Sequence, residues 1–256
     1  MQLLMPAEVC APYKSAAQRA RVASEAWGQA NLYCSNCPSP VLRPAPANSE
    51  AVDFSCPECG STFQLKSQSA RFSRRIVDAA YAAMIRAILE NRTPNLIALH
   101  YDSASWQVRN AILVPKFTFP LSAIEKRKPL GLAARRAGWV GCNILLDQIP
   151  PDGKIPLIED GIIASIDSVR QRYASLRGLQ NLSAESRGWT LDVLRVVRQL
   201  NSKQFRLADV YQYEAELRAV HPGNMHVRAK IRQQLQSLRD MGFIEFLGEG
   251  EYAVRK

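Results

Sequence analysis

The chain has 256 residues and a formal net charge of +10, length enough for one large domain or two modest ones. Such a basic surface attracts phosphate backbones, RNA or anionic lipid, and composition alone does not choose among them. No apolar run approaches the ~18 residues of a membrane span, and Leu3, Leu4 and Met5 meet Pro6 without a basic flank, so the expectation is a cytoplasmic protein with neither secretory leader nor membrane partner.

Residues 13–33 place Ala17, Ala20, Val22, Ala23, Ala26 and Trp27 among Arg and Glu, which predicts an opening helix. The Pro, Ser and Asn of residues 34–49 predict loop. Residues 51–55 and 61–67 read as short strands joined through Cys56-Pro-Glu-Cys59-Gly60, a tight turn with glycine at its end. Ile76, Ala80, Met84 and Ile88, flanked by Tyr81, Ile85 and Leu89, predict an amphipathic helix. Residues 96–101 and 111–114 have strand length, the second stopped by Pro115. The segment 120–143 reads as loop-rich surface, and 155–159 as one more strand.

The composition changes near Ser183. Residues 191–197, 207–220 and 226–240 predict helices, and strands at 243–247 and 252–254 flank Gly248-Glu249-Gly250. Three helices followed by a glycine-turned hairpin is the layout of a winged helix-turn-helix. The expected division is therefore 1–182 and 183–256, in an α/β (α+β) chain.

Cys34-x-x-Cys37 and Cys56-x-x-Cys59 lie 18 residues apart, the spacing of a four-thiolate zinc site in which two tight turns share one tetrahedral ion. A redox role would need only one pair. Four thiolates leave zinc no open position, so such a site is structural. Zinc loading would bring the net charge to about +8, still strongly basic. Cys10 and Cys142 read as small buried thiols.

Asp53 precedes the second pair, and Gln64 and Lys66 follow it. Side chains alternate along a strand, so Gln64 and Lys66 share a face, and pairing of the two strands brings Asp53 beside Gln64. An Asp followed by Asp/Glu-x-Lys on the adjacent strand is the constellation of metal-dependent nucleases. A carboxylate holds the Mg²⁺ that polarises the scissile phosphate, and lysine steadies the attacking water or the developing charge. By itself, Asp-x₁₀-Gln-x-Lys is a weak signal, because surface strands often carry such residues.

The stretch Val52-Asp-Phe-Ser-Cys-Pro-Glu-Cys-Gly-Ser-Thr-Phe-Gln-Leu-Lys-Ser67 resembles the catalytic core of the DpnI restriction endonuclease family. So do Tyr13-Lys-Ser15, Arg135-Arg-Ala-Gly-Trp-Val-Gly-Cys-Asn143, Ser186-Arg-Gly-Trp-Thr190, Lys230-Ile-Arg-Gln-Gln-Leu235 and Leu238-Arg-Asp240. The resemblance spans nearly the whole chain. It implies a PD-(D/E)xK catalytic domain with a zinc site, a C-terminal winged helix, and Mg²⁺-dependent cleavage of double-stranded GATC sites methylated on adenine. The catalytic set it implies is Asp53, Gln64 and Lys66, with Asp53 and Gln64 on the magnesium. The expected partner is methylated DNA, bound by a monomer.

One residue departs from the family pattern: Gln64 stands where the pattern has glutamate. Its amide still offers a carbonyl oxygen to Mg²⁺, but the site loses one negative charge and should hold the metal more weakly. The alternative is a methyl-DNA-binding or regulatory protein that does not cut. Glu25 reads as a solvated helix charge, with an extra carboxylate near the metal as the second possibility.

Between Lys116 and Trp139 stand six basic residues and one acid, Glu125. A solvated charge run is the plain reading; its position before Trp139 favours a DNA-facing loop that includes Arg135 and Arg136. Spacing alone makes Trp139 an ordinary core residue, whereas the resemblance places it near the methylated adenines, where a flat apolar ring accepts N6-methyl groups. On the third C-terminal helix, Arg228, Lys230, Arg232, Gln233 and Gln234 cluster without an acid before Asp240. They are the candidates for groove and phosphate contacts.

Overall fold

The computed structural model describes all residues except 47, 48, 50 and 256. In chain order the elements begin with α1 (Ala16–Asn31), β1 (Arg43–Pro44), β2 (Phe54–Ser55), β3 (Thr62–Gln68), β4 (Arg75–Ala80) and α2 (Tyr81–Leu89). Then come β5 (Asn95–Tyr101), β6 (Val108–Val114), β7 (Ile124–Lys126), β8 (Gly141–Leu145), β9 (Ile155–Glu159), β10 (Ile162–Ile163) and α3 (Ile166–Ser175). The C-terminal part holds α4 (Ala184–Gln199), β11 (Gln204–Arg206), α5 (Leu207–Tyr211), α6 (Glu214–Val220), α7 (Val227–Asp240), β12 (Ile244–Gly248) and β13 (Glu251–Val254). The chain is thus mixed α/β, as expected. No helix among the described residues is long and apolar enough to cross a membrane.

Packing draws two compact units that interleave along the chain: Met1–Ala79, Arg92–Lys116 and Asp152–Arg177 form one, and Ala80–Asn91, Phe117–Pro151 and Gly178–Lys256 the other. The first is built on a seven-stranded sheet of order β1-β2-β3-β5-β6-β9-β10. Within it β3 and β5 run parallel, Phe63 facing Asn95 and Gln68 facing His100; the other pairs are antiparallel. Leu96, Ile97, Ala98 and Leu99 of β5 are all buried, as a central strand covered on both faces requires. Helix α1 lies close to β2 because Gly28 has no side chain: a Cβ there would meet the Phe54 ring at 2.8 Å. Trp27 beside it is fully buried and satisfies its indole N–H on the Gln2 carbonyl at 2.7 Å.

Asn95 ties this sheet together at one point. It is fully buried; its amide donates to the Thr62 carbonyl at 3.0 Å, and its oxygen accepts from the Lys116 N–H and the Tyr173 hydroxyl, each at 3.0 Å. The starts of β3 and β5, the end of β6 and helix α3 therefore share a single satisfied side chain, whose loss would leave buried groups unpaired.

In the second unit, α4, α5, α6 and α7 are joined by the small sheet β11-β13-β12, and β7 pairs with β8. Asp192 is buried between Ser122, which donates to it at 2.6 Å, and His221 at 2.8 Å; the His221 ring stacks on Trp189 with centroids 3.8 Å apart.

Three expectations change. The apolar stripe beginning at Ile76 is a strand as far as Ala80 and a helix only afterwards; along β4 burial alternates, with Ile76 and Asp78 inside and Arg75 and Val77 outside. The helix expected over 207–220 is broken into α5 and α6 by Gln212 and Tyr213. Segment 120–143, expected as loop, contains β7 and the start of β8.

Candidate active site and zinc centre

The four cysteines Cys34, Cys37, Cys56 and Cys59 converge, their Sγ atoms all within 4.8 Å of one another. Cys34 and Cys59 are 3.6 Å apart and Cys37 and Cys56 3.5 Å. A tetrahedron with Zn–S bonds of ~2.3 Å has sulfur–sulfur edges of about 3.8 Å, so the donor set fits zinc. The turns are pre-shaped for it. Cys56 N–H bonds the Ser61 carbonyl at 2.8 Å, and Gly60 takes φ +69°, a left-handed conformation that favours glycine. The Asn36 N–H points at Cys34 Sγ at 3.4 Å, and its side-chain amide reaches Cys59 Sγ at 3.7 Å.

These donors bear on ionisation. Burial disfavours the thiolate at Cys59, yet hydrogen bonding with Ser61 and the neighbouring Cys37 and Cys34 thiols brings its pKa down to about 6. Cys34, more deeply buried, is pushed well above its usual range. Of these two thiols, Cys59 is the more readily ionised. The first turn is also gripped from α3 and the residues just after it: Arg170 donates to the Cys34 and Ser39 carbonyls at 3.1 and 3.0 Å, and Arg177 donates to the Asn36 carbonyl. Sequence reasoning missed both arginines, since nothing near the cysteines points to residues so distant in the chain. Cys10 and Cys142 are buried and lie outside this cluster.

The second Cys turn joins β2 to β3, whose register sets Phe54 against Phe63 and Ser55 against Thr62. One residue ahead of that pairing, Asp53 bonds to both chain neighbours of Gln64. Asp53 lies just ahead of β2 and is held at three points: its N–H donates to the Phe63 carbonyl at 2.9 Å, its carbonyl accepts from Ala45 at 2.9 Å, and its carboxylate accepts the Leu65 N–H at 2.7 Å. Burial raises its pKa and the nearby Glu25 charge adds to this, against the opposing pull of the Leu65 N–H, Lys66 and Arg21. Glu25, itself bonded to Arg21 at 2.6 Å, lines a cleft of about 520 Å³ together with Arg21, Gln29, Pro46 and Asp53. Its charge is thus felt at Asp53 and is not only that of a solvated helix face.

Gln64 and Lys66 meet a residue that sequence reasoning passed over. Asp78 of β4, its side chain 2% exposed, accepts from Lys66 Nζ at 2.8 Å and from Gln64 Nε2 at 3.2 Å. The signal for it was the alternation Ile76–Asp78 beside β-branched Val77, a strand pattern. Asp53, Gln64, Lys66 and Asp78 offer carboxylate, amide and ammonium groups, whose oxygens suit a hard cation such as Mg²⁺ or Mn²⁺.

The remaining candidates lie in the second unit. Beyond β7 the chain folds back on itself through Arg127 N–H to Gly141, Leu130 N–H to Trp139 and Gly138 N–H to Leu130 carbonyls at 2.9–3.0 Å. Arg135 and Arg136 are exposed on that loop. The Arg136 guanidinium sits 4.8 Å over the half-buried Trp139 ring. Gly141 seats the ring, since a Cβ there would meet it at 2.8 Å.

On α7, Arg228, Arg232 and Gln233 are exposed and Lys230 half-buried. Arg228 pairs with Glu214 at 2.6 Å, and Arg232 donates to the Tyr211 hydroxyl at 3.0 Å. Gln234 is a correction. It is 2% exposed and accepts the Thr190 hydroxyl at 2.6 Å, so it belongs to the packing between α7 and α4 and does not reach a DNA surface.

Comparison with known families gives two matches that together span nearly the whole chain. A family model described as DpnI, the Dam-replacing family, matches residues 1–182, and one described as the Dam-replacing HTH domain matches residues 185–254.

Proposed function

The chain belongs to the DpnI, or Dam-replacing, family, and from that premise we propose that it is a Mg²⁺-dependent endonuclease cutting double-stranded DNA at GATC sites carrying N6-methyladenine. The observation that carries the proposal is that Asp53 bonds to Phe63 and Leu65, the two chain neighbours of Gln64, with Lys66 two residues beyond Gln64, at the foot of the turn that carries Cys56 and Cys59 of the four-cysteine cluster. The Asp53 carboxylate and the Gln64 carbonyl oxygen are the groups to hold the divalent cation, which when bound supplies Lewis-acid polarisation of the scissile phosphate. Lys66 commits one ammonium proton to Asp78 and keeps two donors for a phosphate oxygen or the attacking water. The cysteines carry no catalytic chemistry; with zinc they hold the strand pair in register.

Residues 1–182 would cut and residues 183–256 would bind as a winged helix. Lys230, Gln233, Arg228 and Arg232 on the outer face of α7 suit phosphate and base-edge contacts. For Arg228 and Arg232 this means exchanging Glu214 and Tyr211 for DNA. Arg135, Arg136 and Trp139 form the second contact, with the indole face receiving the N6-methyl group.

Paired plasmids, one adenine-methylated at GATC and one not, test the proposal with Mg²⁺ or Mn²⁺ present. Cutting of the methylated plasmid alone is expected. The competing reading, a methyl-DNA-binding protein that does not cut, is favoured by Gln64 in a glutamate's place; methylated DNA bound but left intact with either metal would establish it. Gly141→Ala should push Trp139 from its seat and narrow the difference in affinity between methylated and unmethylated duplexes by about tenfold, roughly 1.4 kcal/mol. An unchanged ratio in a binding titration would remove Trp139 from methyl recognition.

A further inference from the structure

We infer that Asp78 is a positioning residue of the cleavage site, one that orients the Gln64 amide so that its carbonyl oxygen is the end presented to the metal. This rests on the reading of Asp53 and Gln64 as the metal's ligands. Asp78 is a buried charge that, among the described residues, is met by Lys66 and Gln64, and both of these belong to the proposed site. A buried carboxylate is tolerated only where it is paired and hydrogen-bonded.

The orientation follows from hydrogen-bond chemistry. A primary amide has one donating end and one accepting end, whereas an ionised carboxylate only accepts. Gln64 therefore turns its NH₂ group to Asp78, and Oε1, the one atom of the amide able to ligate a hard cation, is directed away from it. Without Asp78 the amide gains a second orientation with its N–H groups toward the cation. A glutamate at the same position would need no such guide, having oxygen at both ends. Asp78 and Gln64 thus form a unit: the buried acceptor makes the neutral side chain serviceable as a ligand.

This coupling is measurable without following cleavage. Mn²⁺ affinity is determined by titration calorimetry on the zinc-loaded full chain, for wild type, Asp78→Ala, Gln64→Glu and the double variant, with Asp53→Ala as the reference for a lost site. With Gln64 present, removing Asp78 should weaken Mn²⁺ binding by about tenfold or more, the usual scale for a group that orients a ligand. In the Gln64→Glu background, the same removal should cost less than about threefold. A loss of equal size in both backgrounds would show that Asp78 serves only the fold, and would overturn the inference. Should Asp78→Ala melt the unit, Asp78→Asn is compared in the same two backgrounds and read by the same criterion. If wild type shows no Mn²⁺ binding that depends on Asp53, the metal-site reading falls first and the inference with it. That outcome is distinct from equal losses at a working site.

Discussion

Asp53→Asn is expected to reduce cleavage of adenine-methylated plasmid by roughly 10³-fold or more while leaving DNA binding intact and the metal-free fold no less stable. The first part follows from the proposed ligand role. Metal-assisted charge stabilisation contributes several kcal/mol to the transition state, and ~1.36 kcal/mol is tenfold in rate. The second follows because Asp53 belongs to the unit that carries the cysteines, whereas the α7 residues proposed to grip DNA belong to the other.

The third part follows from the raised pKa of Asp53, caused first by burial and then by the Glu25 charge. A carboxyl whose folded pKa lies above its unfolded value disfavours folding when ionised. That penalty is full above the folded pKa, fades as pH falls from there towards the unfolded one, and is absent below it. Asparagine removes the charge at neutral pH and keeps an oxygen for the Leu65 N–H, so the metal-free melting temperature should hold or rise slightly. Thermal melts at pH 7 without divalent metal, gel shifts with methylated duplex and single-turnover cleavage together decide the matter. More than a tenth of wild-type cleavage in Asp53→Asn would mean that the metal site lies elsewhere.

The second large effect is expected at the cysteines. Replacing Cys56 by Ser should abolish stoichiometric zinc, expose the β2–β3 hairpin to hydrogen exchange and silence cleavage without altering a catalytic side chain. Structural zinc contributes about 10–16 kcal/mol in small zinc peptides, comparable to or above the ~5–15 kcal/mol stability of a whole domain. Strand β2 has only two residues, Phe54 and Ser55, too few to hold its register unaided. Asp53, the residue before β2, takes from that pairing its bonds to Phe63 and Leu65 on either side of Gln64. Cys10→Ser is the control, because Cys10 lies outside the cluster and bonds the Arg19 carbonyl; it should keep zinc and activity. Metal analysis and exchange mass spectrometry over residues 53–66 provide the readout. Full cleavage by a chain verified to lack zinc would separate the two centres.

What could be read in one dimension depended on the kind of constraint. The cysteine turns were legible because both members of each pair come from one tight turn, and the spacing of such turns is written locally. The strands around Leu96, Leu113 and Leu157 were legible for a similar reason: apolar runs of strand length bounded on one side by Pro94, Pro115 or Gly161. Asp78 was not. Ile76, Ala80, Met84 and Ile88 are four residues apart, and four is an even number, so the same spacing satisfies a helical stripe and a strand's alternation equally. Read as helix, the segment leaves Asp78 in solvent; folded as β4, it puts Asp78 inside beside Ile76. Gln234 shows the opposite case. Val227, Ile231, Leu235 and Leu238 mark the buried stripe of α7, and Gln234 falls on it, so its burial was available from periodicity and was outweighed by its polarity.

The arginine grip on the first cysteine turn has a consequence for how the chain is made. Arg170 and Arg177, which hold the Cys34, Ser39 and Asn36 carbonyls, leave the ribosome well over a hundred residues after Cys59. At synthesis rates of ~5–20 residues per second that delay is about 6–24 s. All four thiols are thus made before the clasp that orders the first turn exists. The nascent hairpin must either capture zinc without its arginines or wait, reduced, until α3 arrives.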